Sequence, residues 1–177
     1  MFAARNRSPV TDPAAFAQLY SENFARVWRV LRRLGVGEAS LDDASHDVFV
    51  IAWRRGPEFA GRSSVQTWLL GIAIRVASDA RRGQLRRMEP LPDSLVAPEN
   101  PEAEAHQREA SALVHRLLEQ LRPDRREIFV LMELEQYTAP EVAEALSINL
   151  NTVYTRLRAA RQDFNALVKA VEEQRND

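Results

Sequence analysis

Residues 138–164, TAPEVAEALSINLNTVYTRLRAARQDF, decide the fold expected for this chain, because they read as two short helices joined by a tight turn. Thr138 is a candidate N-cap and Glu141 follows it by three residues, which is typical of a helix start. The turn-prone run 147–150 interrupts that helix, and a second helix is expected to start near Thr152. The stretch therefore predicts a helix-turn-helix.

The second helix carries an apolar stripe and an opposing polar face. At about 100° per residue, the side chains that point inward are Val153, Leu157, Ala160 and Phe164. The opposite face holds Asn151, Thr155, Arg158 and Gln162, with Tyr154 and Ala159 beside them and Arg156 and Arg161 at its borders. Such polar groups hydrogen-bond base edges in a major groove, and bordering arginines reach phosphates. A helical hairpin with a solvated polar face is the alternative interpretation.

The formal net charge of −1 argues at first against a nucleic-acid partner. The charge is unevenly distributed, however: residues 1–92 carry 14 Arg against 9 acidic residues, and residues 93–177 carry 10 basic against 16 acidic residues. The first half is therefore basic, and much of the acid in the second half lies outside the proposed reading helix.

The chain has no cysteine, which excludes disulfides, thiolate metal sites and cysteine nucleophiles. Its first residues lack the apolar run of a secretory signal, and no window approaches the ~18 apolar residues of a membrane span. We therefore expect a soluble, cytoplasmic protein that is not embedded in a membrane. The dispersed histidines and the solvated carboxylates show no ligand spacing and no acid–base pair, so no cofactor, metal, small-molecule substrate or enzymatic activity is expected.

Three helices are predicted before the middle of the chain. The first covers residues 12–34 with a possible break near Ser21, the second 41–55 and the third 65–82. The second helix is expected to turn a mixed face outward, formed by Asp43, His46, Asp47, Val50 and Arg54.

The loop 56–64 holds an aromatic residue and an arginine, and the third helix ends in a basic run. An aromatic beside a loop and a basic helix end can stack an unpaired base and hold its backbone. Phe59 and Trp68 are also ordinary candidates for the hydrophobic core, as large aromatics usually are.

From residue 83 to 106 the pattern dissolves into prolines and acidic residues, which indicates a semi-extended linker. Fully extended, these 24 residues would reach about 75 Å. We expect an all-α fold of two small helical domains, residues 12–87 and 107–174, joined by a flexible acidic linker at 88–106. The second domain is expected to hold four helices, including the helix-turn-helix.

Two separate blocks resemble the bacterial RNA polymerase sigma factors of the extracytoplasmic-function group. The first contains LDDASHDVFVIAW (41–53), PEFAGRSSVQTWLLGIA (57–73) and ASDARR (77–82). The second is LRPDRREIFVLMELEQYTAPEVAEALSINLNTVYTRLRAAR (121–161). The order of the blocks and the variable linker between them agree with that family.

The resemblance implies a protein that binds core RNA polymerase and directs it to promoter DNA. The residues implied to dock on polymerase are Asp43, His46, Asp47, Val50 and Arg54. Those implied to bind melted minus-ten DNA are Phe59, Arg62, Ser63, Ser64, Trp68, Arg75, Arg81 and Arg82. Those implied to read the minus-thirty-five element are Asn149, Asn151, Thr152, Tyr154, Thr155, Arg156, Arg158 and Arg161. The resemblance also implies an anti-sigma factor as a partner.

The chain departs from the family pattern at three positions. Arg75 replaces a common asparagine, Ala159 replaces a common arginine, and Ser147 replaces the usual turn glycine. The first two departures put the usual promoter preference in question. If the turn requires a left-handed backbone, Ser147 adopts it at a higher conformational free energy than glycine would. A sigma-like decoy that binds an anti-sigma factor without directing transcription, and a dimeric helix-turn-helix repressor, are the alternative readings.

Overall fold

The computed structural model of the chain describes residues 10–87 and 101–176. Within these ranges the chain is all-α, without a strand, which confirms the predicted fold class. The α-helices are α1 (Pro13–Arg33), α2 (Glu38–Arg55), α3 (Val65–Arg87), α4 (Pro101–Gln120), α5 (Pro123–Phe129), α6 (Ala139–Leu146) and α7 (Leu150–Asn176). A 3-10 turn follows α2 at Gly56–Glu58, and a π-helical turn follows α5 at Val130–Leu134.

Helix α1 begins at a cap and runs without interruption. The Asp12 carboxylate accepts a hydrogen bond from the Ala15 backbone N–H at 3.1 Å, which satisfies one free donor of the first turn. The break predicted near Ser21 is wrong, because the Ser21 hydroxyl donates to the Gln18 carbonyl at 2.9 Å and the helix accommodates it. The helix ends before Gly35, which has φ of 88°.

The first three helices pack against one another around buried aliphatic side chains, among them Leu31, Leu41 and Leu69. Helix α2 starts at Glu38, three residues before the predicted position, with Gly37 as its N-cap. A carboxylate in the first turn is favourable at the positive end of the helix dipole, which explains the earlier start.

The stretch 83–106, predicted to be semi-extended, is helical at both of its ends. Helix α3 continues through Arg87, and helix α4 begins at Pro101, so residues 83–87 and 101–106 are helical rather than extended. Proline is well suited to the first helical position, and the acidic residues that follow favour a helix start. Residues 88–100, the rest of the predicted linker, lie outside the described residues.

Helix α5 ends at Phe129 and is followed directly by the π turn. After Phe129 the ladder widens into the π turn, in which the Glu135 N–H donates to the Val130 carbonyl at 2.9 Å. A π turn accommodates one extra residue in a helix and has no simple sequence signal.

Helices α1–α3, called here the N-terminal helices, contact helices α4–α7, called here the C-terminal helices. Helix α3 packs along α6, and α1 meets the π turn. One cluster of buried hydrophobic side chains extends through both groups. The two groups are therefore in contact in the chain on its own.

Candidate nucleic-acid and protein interfaces

A capping box starts helix α6 as the sequence predicts. The Thr138 backbone N–H and hydroxyl both donate to the Glu141 carboxylate, at 2.9 and 2.7 Å. These hydrogen bonds, that of the hydroxyl first, lower the pKa of Glu141 below its ordinary value. Ser147 ends the helix with φ of 55°, so the serine does accept the left-handed backbone that glycine adopts more easily.

Helix α7 starts at Leu150, two residues before the predicted position. Asn149 caps the helix: its side-chain oxygen accepts from the Thr152 N–H at 2.7 Å and from the Thr152 hydroxyl at 2.9 Å. The amide oxygen of Asn149 is therefore engaged in shaping the turn.

The apolar stripe of α7 is directed inward as predicted. Val153, Leu157 and Ala160 are buried, and the half-buried Phe164 stacks on Phe129 with ring centroids 4.5 Å apart. Because the stripe is fixed, the opposite face is directed to solvent. Its exposed residues are Asn151, Tyr154, Thr155, Arg158, Arg161 and Gln162.

The polar side chains of that face differ in whether they already have a hydrogen-bond or ion-pair partner. The Thr155 hydroxyl donates to the Asn151 carbonyl at 2.8 Å. Arg156 is half-buried and lies 3.7 Å from the Asp124 carboxylate, and Arg161 pairs with Glu133 at 2.6 Å. Among the described residues Arg158 has no partner, so its guanidinium is available to a ligand without breaking a contact.

An open cavity of about 410 Å³ lies beside the loop that follows α2. Five of the eight residues assigned to minus-ten DNA line it: Phe59, Arg62, Ser63, Trp68 and Arg75. The Phe59 and Trp68 rings are 5.1 Å apart, tilted against each other. The volume falls in the range of small-molecule pockets, and the three arginines and two aromatics that line the cavity suit a base and its phosphate.

The other three residues of that set lie elsewhere. Ser64 caps α3, since its hydroxyl accepts from the Thr67 N–H at 3.0 Å. Arg82 pairs with Asp79 on the surface. Arg81 is directed toward the C-terminal helices, where it pairs with Glu127 at 3.0 Å, so it does not join the cavity in this arrangement.

The outer face of α2 is exposed as predicted, at Asp43, His46, Asp47, Val50 and Arg54. His46 is oriented by two contacts: its Nδ1 lies 2.8 Å from the Asp42 carbonyl and its Nε2 3.0 Å from the Tyr20 hydroxyl. Because a carbonyl only accepts, Nδ1 donates to it, and Nε2 faces the hydroxyl.

The sequence reasoning missed two residues of these surfaces. Trp53 is 42% exposed beside Val50, and Arg55 lines the cavity while pairing with Glu58 at 3.0 Å. Trp53 follows Val50 by three positions, a spacing that places both on one helix surface. That spacing could have identified it from the sequence.

Two family models match the chain, one described as Sigma-70 region 2 over residues 19–87 and one described as Sigma-70, region 4 over residues 111–164. The chain belongs to the sigma-70 family. The sigma factor NccH of Alcaligenes xylosoxydans xylosoxydans is 28% identical over 95% of this chain and 94% of its own length. The ECF sigma factor SigM of Mycobacterium tuberculosis is 27% identical over 85% of this chain and 75% of its own length. These relatives place the chain in the extracytoplasmic-function group.

Two solved structures share the fold with a TM-score of 0.70. CnrH in complex with the cytosolic domain of CnrY is 25% identical and covers 90% of either chain. The sigma factor RpoE of Bartonella quintana, in complex with the anti-sigma factor NepR, is 17% identical and covers 87% of this chain and 96% of its own.

As a sigma factor, the protein is a transcription initiation factor that binds core RNA polymerase and directs it to promoters. None of the helices in residues 10–87 and 101–176 combines the length and the apolar composition that a membrane crossing requires.

Proposed function

We propose that the sigma factor divides promoter recognition between residues 12–87 and residues 107–174, connected through residues 88–106. The first segment binds polymerase and the opened minus-ten strand. The second reads the intact minus-thirty-five duplex. The observation that carries this proposal is the pair of separate polar surfaces, the aromatic–arginine cavity beside α3 and the exposed polar face of α7.

The cavity is proposed to take one base that has left the duplex. Phe59 and Trp68 offer ring faces for stacking, and Arg62 offers a cation to the neighbouring phosphate. Arg75 stands on the same cavity wall, where its five donors can read a base edge that asparagine would read differently. The base preferred at minus ten is therefore proposed to differ from that of relatives with asparagine.

The exposed half of α7 is proposed to enter the major groove at minus thirty-five. Asn151, Tyr154 and Arg158 are among the exposed side chains of this face. The outer face of α2 is proposed to dock on polymerase. There Val50 and Trp53 are 44% and 42% exposed beside the charged residues, a combination typical of a protein contact.

Run-off transcription with purified core polymerase and a genomic promoter library tests the proposal. We expect specific starts that require this chain, with a minus-ten base preference that changes in Arg75→Asn. Polymerase binding without any initiation would instead favour the decoy reading. The reaction itself is proposed to belong to polymerase, in the cytoplasm, with this chain as a non-enzymatic factor.

An anti-sigma factor is proposed as a further partner, because RpoE of Bartonella quintana, which shares the fold, was solved bound to one. Such a partner would cover the exposed apolar side chains of α2. Pull-down of the purified sigma factor with candidate anti-sigma domains, scored by loss of run-off transcription, tests this proposal.

A further inference from the structure

The start of α7 presents two large apolar side chains to solvent. Leu150 is 41% exposed and Tyr154 is 53% exposed, whereas Val153 beside them is buried. Residues four positions apart on a helix are neighbours on its surface. Leu150 and Tyr154 therefore form one exposed patch, called here the apolar pair, whose members lie about 6 Å apart along the helix axis at about 1.5 Å of rise per residue.

The apolar pair is not part of the hydrophobic core. The core side chains of this part of the chain are Val153, Leu157 and Ala160, and Ile148 of the turn packs against them. Within residues 10–87 and 101–176, four large hydrophobic side chains are exposed, namely the apolar pair and two residues of the outer face of α2. Exposure of this kind is therefore confined to two surfaces, one proposed to bind protein and the other to bind duplex DNA.

The hydroxyl groups next to the apolar pair are already engaged with the helix itself. The Thr152 hydroxyl donates to the side-chain oxygen of Asn149 at 2.9 Å, and the Thr155 hydroxyl donates to the Asn151 carbonyl at 2.8 Å. A hydroxyl has a single proton to donate. Neither threonine can donate to a base without losing its present hydrogen bond, so the first turn of α7 offers a largely apolar surface together with the exposed amide of Asn151.

The apolar group that a base pair presents in the major groove is the C5 methyl of thymine, which distinguishes thymine from the other three bases. Its partner adenine presents N6 and N7, a pattern that an asparagine amide bonds with two hydrogen bonds. Asn151 directly follows Leu150, so the first turn combines a side chain suited to adenine with side chains suited to thymine. In a helix-turn-helix, the N-terminal residues of the second helix are the ones that contact base edges.

We propose that Leu150 and Tyr154 contact thymine methyl groups in the major groove of the minus-thirty-five duplex, and that Leu150 is a specificity-determining residue of this sigma factor. This contact rests on the function proposed for α7 and specifies which bases its first turn selects. Arg158 lies one turn beyond Tyr154, and its guanidinium suits guanine N7 and O6. Helix α7 is therefore expected to read A·T pairs with its first turn and a G·C pair with its second.

Uracil isolates the proposed contact from every hydrogen bond in the groove. It lacks the C5 methyl of thymine but keeps the O4 acceptor and the pairing with adenine. Burying one methyl-sized group is expected to change affinity about fourfold. Replacing thymine by uracil at one position should therefore produce a loss of that size only where an apolar side chain covers the methyl group.

Selection with the full chain identifies the duplex to be used. Two pools of duplexes with about ten random base pairs, one turn of the double helix, are bound to the purified protein. One pool is made with thymidine and the other with deoxyuridine. The thymidine pool should yield a sequence with A·T pairs at one or two fixed positions beside a G·C pair. The deoxyuridine pool should keep the G·C preference and show a weaker preference at the A·T positions.

Anisotropy titrations then compare the selected duplex with copies that carry uracil at a single thymine. We expect the parent chain to bind the uracil copy about fourfold more weakly. Leu150→Ala should bind the thymine duplex about fourfold more weakly and should no longer distinguish uracil from thymine at one position. Tyr154→Ala should lose the distinction at the neighbouring position, because the coupling between two contacting groups disappears when either is removed.

Two further variants serve as controls. Val171→Ala trims an aliphatic side chain near the other end of α7 and should keep both the affinity of the parent chain and its response to uracil. Tyr154→Phe removes the hydroxyl and keeps the ring, so it should also keep the response to uracil. Alanine is the best helix former, and both replaced side chains are exposed, so α7 is expected to persist in the alanine variants, which circular dichroism checks.

Equal binding of thymine and uracil duplexes by the parent chain would overturn the proposal. A response to uracil that persists in both Leu150→Ala and Tyr154→Ala would overturn it as well. If Leu150→Ala instead weakens association with core polymerase and keeps the response to uracil, the apolar pair belongs to a protein contact.

Failure of the function proposed for α7 gives a different result. If neither pool yields an enriched sequence, α7 does not read duplex DNA, and the methyl contact is overturned with it. If both pools yield the same sequence with the same affinity, reading by α7 stands and only the methyl contact is overturned.

Discussion

Within residues 10–87 and 101–176, Arg158 differs from its two basic neighbours on α7 in having no carboxylate partner. Arg156 and Arg161 pair with Asp124 and Glu133, so each must break an existing ion pair in order to contact DNA. The free energy needed to break these surface ion pairs is small, since an exposed ion pair stabilises a protein by about 1 kcal/mol or less. Arg158 is therefore the clearest candidate for a direct base contact.

Arg158→Ala is expected to weaken binding of a minus-thirty-five duplex by about 1 to 3 kcal/mol and to relax preference at one base pair. The physical reason is the loss of a guanidinium that can bond two acceptors of one base. Anisotropy titrations of the full chain against duplexes that differ at single positions measure it. Arg116→Ala, which removes an exposed arginine from α4, is the matched control. An unchanged base preference would remove Arg158 from the reading set.

At the scale of single elements, α2 combines exposed charge with exposed apolar surface. Replacing Asp47 and Val50 by alanine should weaken association with core polymerase by about tenfold or more, because both side chains are exposed on the proposed docking face. Duplex binding through α7 should stay unchanged. The comparison variant is Glu22→Ala, which removes an exposed carboxylate from α1. Loss of polymerase and duplex binding together would indicate misfolding instead.

The capping box of α6 predicts a pH-dependent contribution to stability. Thr138→Ala should lower the free energy of unfolding by about 1 kcal/mol, because it removes a hydroxyl that bonds Glu141. The folded pKa of Glu141 is lowered, so its contribution is present above the unfolded carboxyl pKa and is lost as the pH falls through the folded one. Urea unfolding at neutral and acidic pH measures it, with Thr138→Ser expected to retain most of the contribution. Equal losses for serine and alanine would contradict the capping role.

The elements that the sequence predicted well are those decided by local chemistry. The stripe of Val153, Leu157 and Ala160, and the cap at Thr138, depend on residues within a few turns of one another. The π turn escaped prediction because it has no simple sequence signal. The extra turn of α3 escaped prediction because Gly83 lowers helix propensity without ending the helix. The cavity was predicted only in part, because the sequence does not show that Arg55 and residues of α6 line it.

At the scale of the whole molecule, the contacts that matter most join distant parts of the sequence. Arg29 and Glu135 are 106 positions apart, and nothing in either neighbourhood predicts the other. The sequence predicted two helical domains with a flexible linker but no contact between them. Pairing across such a separation depends on how the apolar faces of α3 and α6 come together.

His115 of α4 is expected to make the stability of the fold depend on pH. Burial, and then the Arg32 and Arg33 cations of α1, lower its pKa. The unfolded chain therefore binds more protons, so stability is fully present above the ordinary histidine pKa of about 6.5 and declines as the pH falls toward the folded value.

We expect a smaller free energy of unfolding at about pH 5.5 than at about pH 7.5, and a smaller difference in His115→Asn. Urea unfolding of both chains at the two pH values measures the contrast. His46→Asn on the outer face of α2, 69 positions away, is the control histidine. A pH dependence that persists unchanged in His115→Asn would assign it to other groups.

The widened turn at Val130–Leu134 determines which way Glu135 points. A regular ladder advances about 100° per residue, so an in-frame loss of one codon here would swing the carboxylate about that far from α1. Homologous proteins that differ by one residue in this turn should accordingly differ in the stability of the contact between the N-terminal and the C-terminal helices.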